Sequence, residues 1–251
     1  MIRLKEVTKR FGNKEVVCSL SLHVPKGELF AYLGPNGAGK TTTIKMLTGL
    51  LKPTSGQIFL KGHDIETQPL EAKRIIGYVP DLPYLYEKLT VEEFLVFIGN
   101  LYGMNGAGLS DRISHFVSLF ELRDLTGDLI EDLSHGMRQR LVFSAALLHD
   151  PEVLILDEPM VALDPKSARL VKDVLRERAD NGTTVFLSTH SLSVAEELAD
   201  RIGIIHRGRL VALGAFDELN EMAGRGDRLE DIFLRLTSEK SAADPNLSPA
   251  E

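Results

Sequence analysis

Apolar and polar residues alternate with a period of two along much of the first third of the chain, a pattern typical of β-strands. Turn signals such as Pro25-Lys26-Gly27 separate the alternating runs. We therefore predict strands at residues 2–7, 15–24, 28–33, 57–60 and 75–79, and a helix from Lys40 to about residue 50, after a Gly-rich loop.

From residue 80 to about residue 150 the apolar positions recur with the period of helices. Thr90 and Glu93 have the spacing of a capping box, which predicts a helix that ends near Gly103. A second helix is predicted to start at Ser110 and Asp111. Its apolar face favours core packing over ligand binding: Ile113, Phe116, Val117, Phe120. A third predicted helix begins near Gly136 and ends at residues 150–151.

The last hundred residues return to short, continuous apolar runs at 153–156 and 185–188. Such runs are typical of strands buried on both faces of a parallel sheet. A helix is predicted between them at 164–179, followed by a hairpin at 201–205 and 209–213. A helical extension is expected at about 215–236. The remaining residues, 237–251, are polar and rich in small side chains and Pro, so we expect a disordered tail.

Composition narrows the class of protein. The 251 residues can form one sizeable domain or two small ones, and the net charge of -7 disfavours binding to nucleic-acid phosphates as the main role. The single Cys18 excludes an intrachain disulfide and is expected to be a small buried side chain.

No run approaches the roughly 20 apolar residues that cross a bilayer. We expect a soluble chain whose membrane role, if any, depends on a partner.

Residues 34–42 fit the phosphate-binding pattern G-x-x-x-x-G-K-[ST], between a predicted strand and a predicted helix. Glycines let consecutive N–H groups point at phosphate oxygens, and the helix N-terminus adds its positive end. Lys40 is expected to reach the β- and γ-phosphates, and Thr41 to ligate Mg²⁺. The candidate nucleotide-binding residues are Gly34, Pro35, Asn36, Gly37, Ala38, Gly39, Lys40, Thr41 and Thr42.

A second constellation lies at the predicted ends of two strands. Asp157 and Glu158 follow an apolar strand, and His190 follows another. Ligands of open α/β sheets bind at the carboxyl ends of the strands. There Asp157 can hold Mg²⁺, Glu158 can act as general base towards an attacking water, and His190 can contact the γ-phosphate. Alone, each of these residues could be structural; together with a phosphate loop they predict hydrolysis.

Six motifs in this order resemble the ATP-binding cassette (ABC) ATPases over about residues 2–215: the phosphate loop, a helical insert, Leu133-Ser134-His135-Gly136-Met137, Asp157-Glu158-Pro159, Leu163-Asp164-Pro165 and the sequence ending at His190. The resemblance implies an α/β P-loop NTPase core with a mostly parallel sheet and N-terminal antiparallel strands. It also implies a helical subdomain at about 82–150. The expected ATP-binding domain spans residues 1–236.

The resemblance further implies a head-to-tail dimer with two ATP molecules between the subunits. Ser134 and Gly136 would then contact the γ-phosphate held by the other subunit, where a helix N-terminus favours an anion. Asp164 would lie at the dimer interface. Phe11 would stack on adenine, with a place in the core as the alternative.

The chain departs from the family pattern at two places. The usual signature is Leu-Ser-Gly-Gly-Gln, but His135 and Met137 replace a Gly and the Gln. Function is expected to persist, with altered ATP affinity in the dimer. Asp81 stands where the family has a Gln that contacts Mg²⁺, and it is a candidate ligand that would add negative charge near the phosphates.

Both departures are similar to those of bacterial exporters whose ATPase and membrane subunits are separate chains. We therefore expect a homodimeric, Mg-ATP-dependent ATPase on the cytoplasmic face of the cell membrane, paired with a separate transmembrane subunit and with no nucleic-acid partner. Residues 82–86 would line the groove for that subunit; packing within the subdomain is the alternative. The rival functions are a non-transport ABC ATPase acting on DNA or ribosomes, and a sensor that binds ATP without hydrolysing it.

Overall fold

Two β-sheets organise the part of the chain that the computed structural model describes, residues 1–161, 163–223 and 233. The first sheet is antiparallel, in the order β2-β1-β4-β5, and its strands are β1 (Ile2–Phe11), β2 (Lys14–Val24), β4 (Ser55–Leu60) and β5 (His63–Asp64). The predicted N-terminal antiparallel strands are therefore confirmed. β1 continues four residues beyond its predicted end because it pairs with β2 up to Phe11.

The second sheet has six strands in the order β10-β9-β3-β8-β7-β6. They are β3 (Leu29–Leu33), β6 (Ile76–Val79), β7 (Val153–Asp157), β8 (Thr184–Thr189), β9 (Arg201–His206) and β10 (Arg209–Gly214). All neighbours pair in parallel except β9 and β10, which form the predicted hairpin. The predicted α/β class with a mostly parallel sheet is thus confirmed.

Eight α-helices connect or cover these strands within the described residues. They are α1 (Lys40–Leu47), α2 (Pro69–Arg74), α3 (Val91–Leu101), α4 (Gly106–Leu119), α5 (His135–Leu147), α6 (Pro165–Asp180), α7 (Leu192–Leu198) and α8 (Phe216–Ala223). The sequence patterns did not predict the short helices α2 and α7. The predicted tail at 237–251 and most of the predicted extension after α8 lie outside the described residues, and the proposed domain division stays a prediction.

The start of α3 follows its sequence signal, whereas the start of α4 does not. Thr90 Oγ1 accepts a hydrogen bond from the Glu93 amide at 3.2 Å, and Glu93 Oε2 accepts one from the Thr90 amide at 2.8 Å, which completes the capping box. The prediction that α4 starts at residue 110 was wrong, since the helix begins at Gly106. Leu109 in its first turn is buried against Gly99 of α3, and this packing outweighs the low helix propensity of the glycines around it.

The core lies on both faces of the second sheet. In β7, Leu154 and Leu156 face a cluster that includes α3 to α6, whereas Val153 and Ile155 face α1 and the antiparallel sheet. A Cβ on Gly77 of β6 would lie 2.4 Å from the carbonyl oxygen of Ala146, so glycine permits the close approach of α5. This packing fixes the carboxyl ends of β3, β7 and β8 side by side at one edge of the sheet.

No helix in the described part of the chain combines the length and the apolar character needed to cross a membrane.

Candidate active site

The loop of residues 34–39 leaves the carboxyl end of β3 and enters α1 at Lys40. A Cβ on Gly34 would lie 2.5 Å from the Ile205 carbonyl oxygen, so only glycine fits there without displacement. Gly37 and Gly39 have φ of +78° and +109°, values that favour glycine. The loop therefore curls back over the sheet edge, and the first N–H groups of α1 are left without intrahelical partners. Such N–H groups suit an anion.

The Lys40 side chain is buried inside this loop, with 6% of its surface exposed. Its Nζ donates a hydrogen bond to the Gly34 carbonyl at 2.6 Å and lies 3.4 Å from the Pro35 carbonyl. It also lies 3.3 Å from Oε1 of Glu158. That contact is an ion pair rather than an aligned hydrogen bond, because Oε1 has no hydrogen-bond partner among the described residues.

Asp157 ends β7 with its carboxylate buried. Its Oδ1 accepts a hydrogen bond from the Ser188 hydroxyl at 2.5 Å, across the parallel pairing of β7 and β8. Its other oxygen, Oδ2, is buried and has no hydrogen-bond partner among the described residues. A buried carboxylate oxygen without a partner costs free energy unless a cation or donor approaches it.

Glu158, the next residue, is held with φ of +49°, which is uncommon for a residue other than glycine. Its amide donates to the Ser188 carbonyl at 3.2 Å. This turn directs the side chain back between Lys40 and His190. Strained backbone of this kind is frequent at functional sites, where the surrounding structure holds it in place.

His190 follows β8 and lies directly against Glu158. The distance between His190 Nδ1 and Glu158 Oε2 is 3.0 Å, and the His190 amide lies 3.3 Å from the same oxygen. The imidazole remains about half exposed, whereas the Glu158 carboxylate is mostly buried. The structure thus brings together the two predicted catalytic residues and Lys40, with Glu158 in the centre.

The residues predicted to ligate Mg²⁺ lie at the same edge of the sheet. Thr41 is exposed in the first turn of α1, and Asp81 is exposed two residues after the end of β6. Burial raises the pKa of the neighbouring Tyr78 to about 12, and the charges of Asp157 and Asp81 contribute to that rise. Asp157 and Asp81 are therefore both close enough to Tyr78 for their charges to affect its phenol.

A magnesium ion fits this donor set, because carboxylate and hydroxyl oxygens are the ligands it prefers and Oδ2 of Asp157 is buried without a partner. Within the described residues, however, no group of three or more His, Cys, Asp and Glu side chains could hold a metal by itself. The missing ligands would have to be water and the phosphates of a nucleotide, which is the usual arrangement for Mg²⁺ at phosphate sites.

Ser134 and Gly136 lie at the N-terminus of α5. Ser134 is the N-cap, and its hydroxyl accepts a hydrogen bond from the Met137 amide at 3.4 Å. No hydrogen bond or ion pair among the described residues joins Ser134 or Gly136 to the phosphate loop of the same chain. The contact of Ser134 and Gly136 with a nucleotide held by a second subunit stays a prediction.

Phe11 lies at the end of β1 with 52% of its surface exposed. The alternative that it belongs to the core is therefore wrong. The ammonium of Lys9 lies 5.2 Å from the centre of its ring. An exposed ring offers a flat face for stacking. The exposure of Phe11 thus supports the prediction that it stacks on adenine, which stays a prediction.

Sequence reasoning assigned no role to Ser188 or to Gln139. The first hydrogen-bonds to Asp157, and the second is buried, with its amide nitrogen 3.5 Å from the Pro159 carbonyl. Ser188 is set opposite Asp157 by the parallel register of the two strands, and the sequence alone does not give that register. Cys18 was expected to be buried but is only partly so, with Sγ 3.7 Å from the Arg207 carbonyl oxygen.

Comparison with known proteins identifies the family. A family model described as ABC transporter matches residues 17–161, more than half of the chain. The chain belongs to the ABC transporter family. The linearmycin resistance ATP-binding protein LnrL of Bacillus subtilis (strain 168) is 38% identical over 237 residues, which cover 94% of this chain and 75% of LnrL.

The probable multidrug ABC transporter ATP-binding protein YbhF of Escherichia coli (strain K12) is 37% identical over 240 residues. The aligned part covers 94% of this chain but only 41% of YbhF, so this ABC family member spans less than half of that relative.

Solved structures agree with this assignment. An ATP-binding subunit of an ABC transporter superposes with a TM-score of 0.90 at 32% identity, covering 94% of this chain and 99% of the other. A dimeric, post-hydrolysis structure of the ATP-binding cassette MJ0796 bound to ADP and Pi superposes with a TM-score of 0.78 at 26% identity, covering 86% and 98%. The predicted family and fold class are therefore confirmed.

Proposed function

We propose that this chain hydrolyses ATP to ADP and phosphate as the ATP-binding subunit of a membrane exporter, at the cytoplasmic face of the membrane. The observation that carries the ATPase proposal is the position of Glu158, between Lys40 of the phosphate loop and His190. The names of LnrL and YbhF, a resistance protein and a probable multidrug transporter protein, support export. Phosphate release by the purified chain with Mg-ATP tests the reaction.

Each side chain has a distinct task in this reaction. Lys40 exchanges its bonds to the Gly34 and Pro35 carbonyls for the β- and γ-phosphates when ATP enters the loop. This exchange frees the Glu158 carboxylate, whose Oε1 can then accept the proton of the attacking water as general base. His190 holds the other oxygen, Oε2, and so fixes the direction in which the base points.

Mg²⁺ would be held by Thr41 and Asp157, with Asp81 as a third candidate, and it would neutralise charge that develops on the phosphates. The Ser188 hydroxyl keeps Asp157 in place by occupying Oδ1, which leaves Oδ2 for the ion. The seven other residues of the phosphate loop are also proposed to bind the nucleotide: Gly34, Pro35, Asn36, Gly37, Ala38, Gly39 and Thr42.

A second copy of this chain is proposed to complete each ATP site, and the dimeric structure of MJ0796 supports this assembly. Ser134→Asp should preserve the helix cap, since Asp is as good an N-cap as Ser, but it places a negative charge where the γ-phosphate would lie. We expect ATP binding by the monomer to persist and ATP-induced dimerisation to be lost. Analytical ultracentrifugation of the variant in a Glu158→Gln background measures the amounts of monomer and dimer.

Ser110→Asp provides the control for this variant, because Ser110 is an exposed serine of α4 that belongs to no proposed site. It should dimerise with ATP as the parent does. Undiminished dimerisation of the Ser134→Asp variant would contradict the contact between subunits.

The surface after Asp81 is proposed to receive a helix of the transmembrane subunit. Tyr84 is 96% exposed, and Leu82 and Tyr86 are also exposed. The alternative that residues 82–86 pack within the subdomain applies to Leu85, which packs against the core cluster, and in part to Tyr86, which meets the Phe97 ring edge-on at 5.4 Å. A shallow groove of about 820 Å³ runs along residues 83–89, and exposed apolar surface of this kind marks interaction sites.

Tyr84→Ala is expected to leave ATP binding unchanged and to weaken association with the membrane subunit at least tenfold, since exposed aromatic side chains often anchor interfaces. The measurement is affinity purification of the membrane subunit through a tag on this chain. Leu70→Ala removes an apolar side chain that is 69% exposed on α2, outside the groove, and should have no effect. Equal recovery of the partner with both variants would refute this docking site.

A further inference from the structure

The outer face of the antiparallel sheet carries a second pocket, remote from the ATP site. It has a volume of about 580 Å³, and we call it the basic pocket. Four cationic side chains line it, from Arg3, Lys5, Lys26 and Lys61, together with the Phe59 ring and the carboxylate of Glu152.

Strand pairing explains why these groups converge. Arg3 of β1 pairs with His23 of β2 on one side and with Phe59 of β4 on the other. Paired residues of an antiparallel sheet point to the same face, and Lys5, two residues on, joins them there. Lys5 Nζ lies 4.9 Å from the centre of the Phe59 ring, so the ring forms an apolar floor beneath the charges.

Of the four positive side chains of the basic pocket, one forms an ion pair within the described residues. Lys61 pairs with Glu152 at 2.6 Å, whereas Arg3, Lys5 and Lys26 form no ion pair with any carboxylate in the described parts of the chain. Partial desolvation lowers the pKa of His23 in the pocket lining, and the charges of the amino terminus, Arg3 and Arg201 lower it further, against an opposing effect of Glu28. A local concentration of positive charge on a chain whose net charge is -7 favours the binding of an anionic ligand there.

The basic pocket is distinct from the ATP site because it lies at the opposite edge of the parallel sheet. Lys26 precedes β3 and Glu152 precedes β7, whereas the phosphate loop and Glu158 follow these same strands. The five residues of β3 separate the two edges by about 17 Å, at roughly 3.3 Å per residue. One nucleotide bound at residues 34–42 therefore leaves the basic pocket accessible.

We propose that the basic pocket binds a multiply charged phosphate group. A guanidinium can bind two phosphate oxygens at once, and the Lys5 and Lys26 ammoniums supply point charges that phosphate also accepts. The concave shape and small volume favour a compact headgroup over an extended acidic peptide. Soluble polyphosphorylated solutes and anionic lipid headgroups share this chemistry. The proposal does not depend on ATP hydrolysis.

Titration of the whole chain with inorganic tripolyphosphate tests this site, with saturating Mg-ADP and excess Mg²⁺ to keep the ATP site filled. Calorimetry should show saturable binding by the parent. Arg3→Gln with Lys5→Gln should weaken it at least tenfold, and both residues are exposed, so the fold should persist. The control is Arg123→Gln with Arg169→Gln, two exposed arginines outside both pockets, which should bind as the parent does.

A parallel experiment distinguishes the source of the phosphate. Sedimentation with vesicles that contain cardiolipin, whose headgroup carries two phosphates, compared with phosphatidylcholine vesicles, reports binding to lipid headgroups. The site is supported if the parent binds tripolyphosphate or the anionic vesicles and the Arg3/Lys5 variant does not. The probe that the parent binds identifies the source of the phosphate. The proposal is overturned if neither probe binds saturably, if the variant and the control bind alike, or if a hexaglutamate peptide binds more tightly than tripolyphosphate.

Discussion

Glu158→Gln should reduce steady-state ATP hydrolysis at least a hundredfold while ATP binding is retained. General-base catalysis contributes about 10² to 10⁴ in rate, and Gln keeps the shape of Glu but cannot accept the proton. The Lys40 ammonium would lose its ion pair with Oε1 and keep its hydrogen bond to the Gly34 carbonyl. The loop should therefore remain formed and able to bind nucleotide.

Two measurements on the same preparation separate the general-base role from a loss of structure. Phosphate release gives turnover, and calorimetry with Mg-ATP gives affinity. Glu177→Gln, which neutralises an exposed carboxylate of α6, is the matched control and should retain full turnover. Full hydrolysis by the Glu158→Gln variant would eliminate the general-base role, whereas loss of both activities would indicate a structural role for Glu158.

The fold and the candidate site could be predicted from sequence wherever the signal is local. The phosphate loop is a contiguous motif, Asp157 ends an apolar strand, and Glu158 and His190 each directly follow one. Because parallel strands end at a common edge, the positions of these three residues followed from chain order alone. The capping box at Thr90 is equally local, and it too was predicted correctly.

Features that depend on contacts distant in sequence could not be predicted. The bond between Ser188 and Asp157 joins residues 31 positions apart and depends on the register of β7 and β8. The start of α4 depends on Leu109 packing against Gly99, which local propensity does not include. The exposure of Phe11 depends on where β1 ends relative to the rest of its sheet.

The direction of the Glu158 side chain, towards the phosphate loop, is another feature that depends on contacts distant in sequence. The φ of Glu158, +49°, occurs at a residue other than glycine. This conformation is stabilised by the hydrogen bond that the Glu158 amide donates to the Ser188 carbonyl and by the contacts of the side chain with Lys40 and His190. Backbone strain at this residue is thus offset by three neighbours that belong to the candidate site. Sequence alone would have favoured an ordinary conformation for Glu.

Lys40→Ala is expected to weaken ATP binding by about 10- to 150-fold. A hydrogen bond to a charged group is worth about 1.5–3 kcal/mol, and roughly 1.4 kcal/mol corresponds to a factor of ten. Calorimetry with Mg-ATP measures the change. Lys45→Ala removes an exposed lysine from the same helix and should bind ATP as the parent does.

The Lys40 variant also tests how the loop is held together. Lys40 Nζ bonds to the Gly34 and Pro35 carbonyls, so its removal could loosen the loop as well as remove a phosphate contact. The affinities of the variant for inorganic phosphate and for ADP separate these effects. A loosened loop would lower the affinity for both of these ligands. A lost contact at the γ-phosphate would lower the affinity for ATP more than the affinity for ADP. Unchanged ATP affinity would contradict the role of Lys40 in binding phosphate.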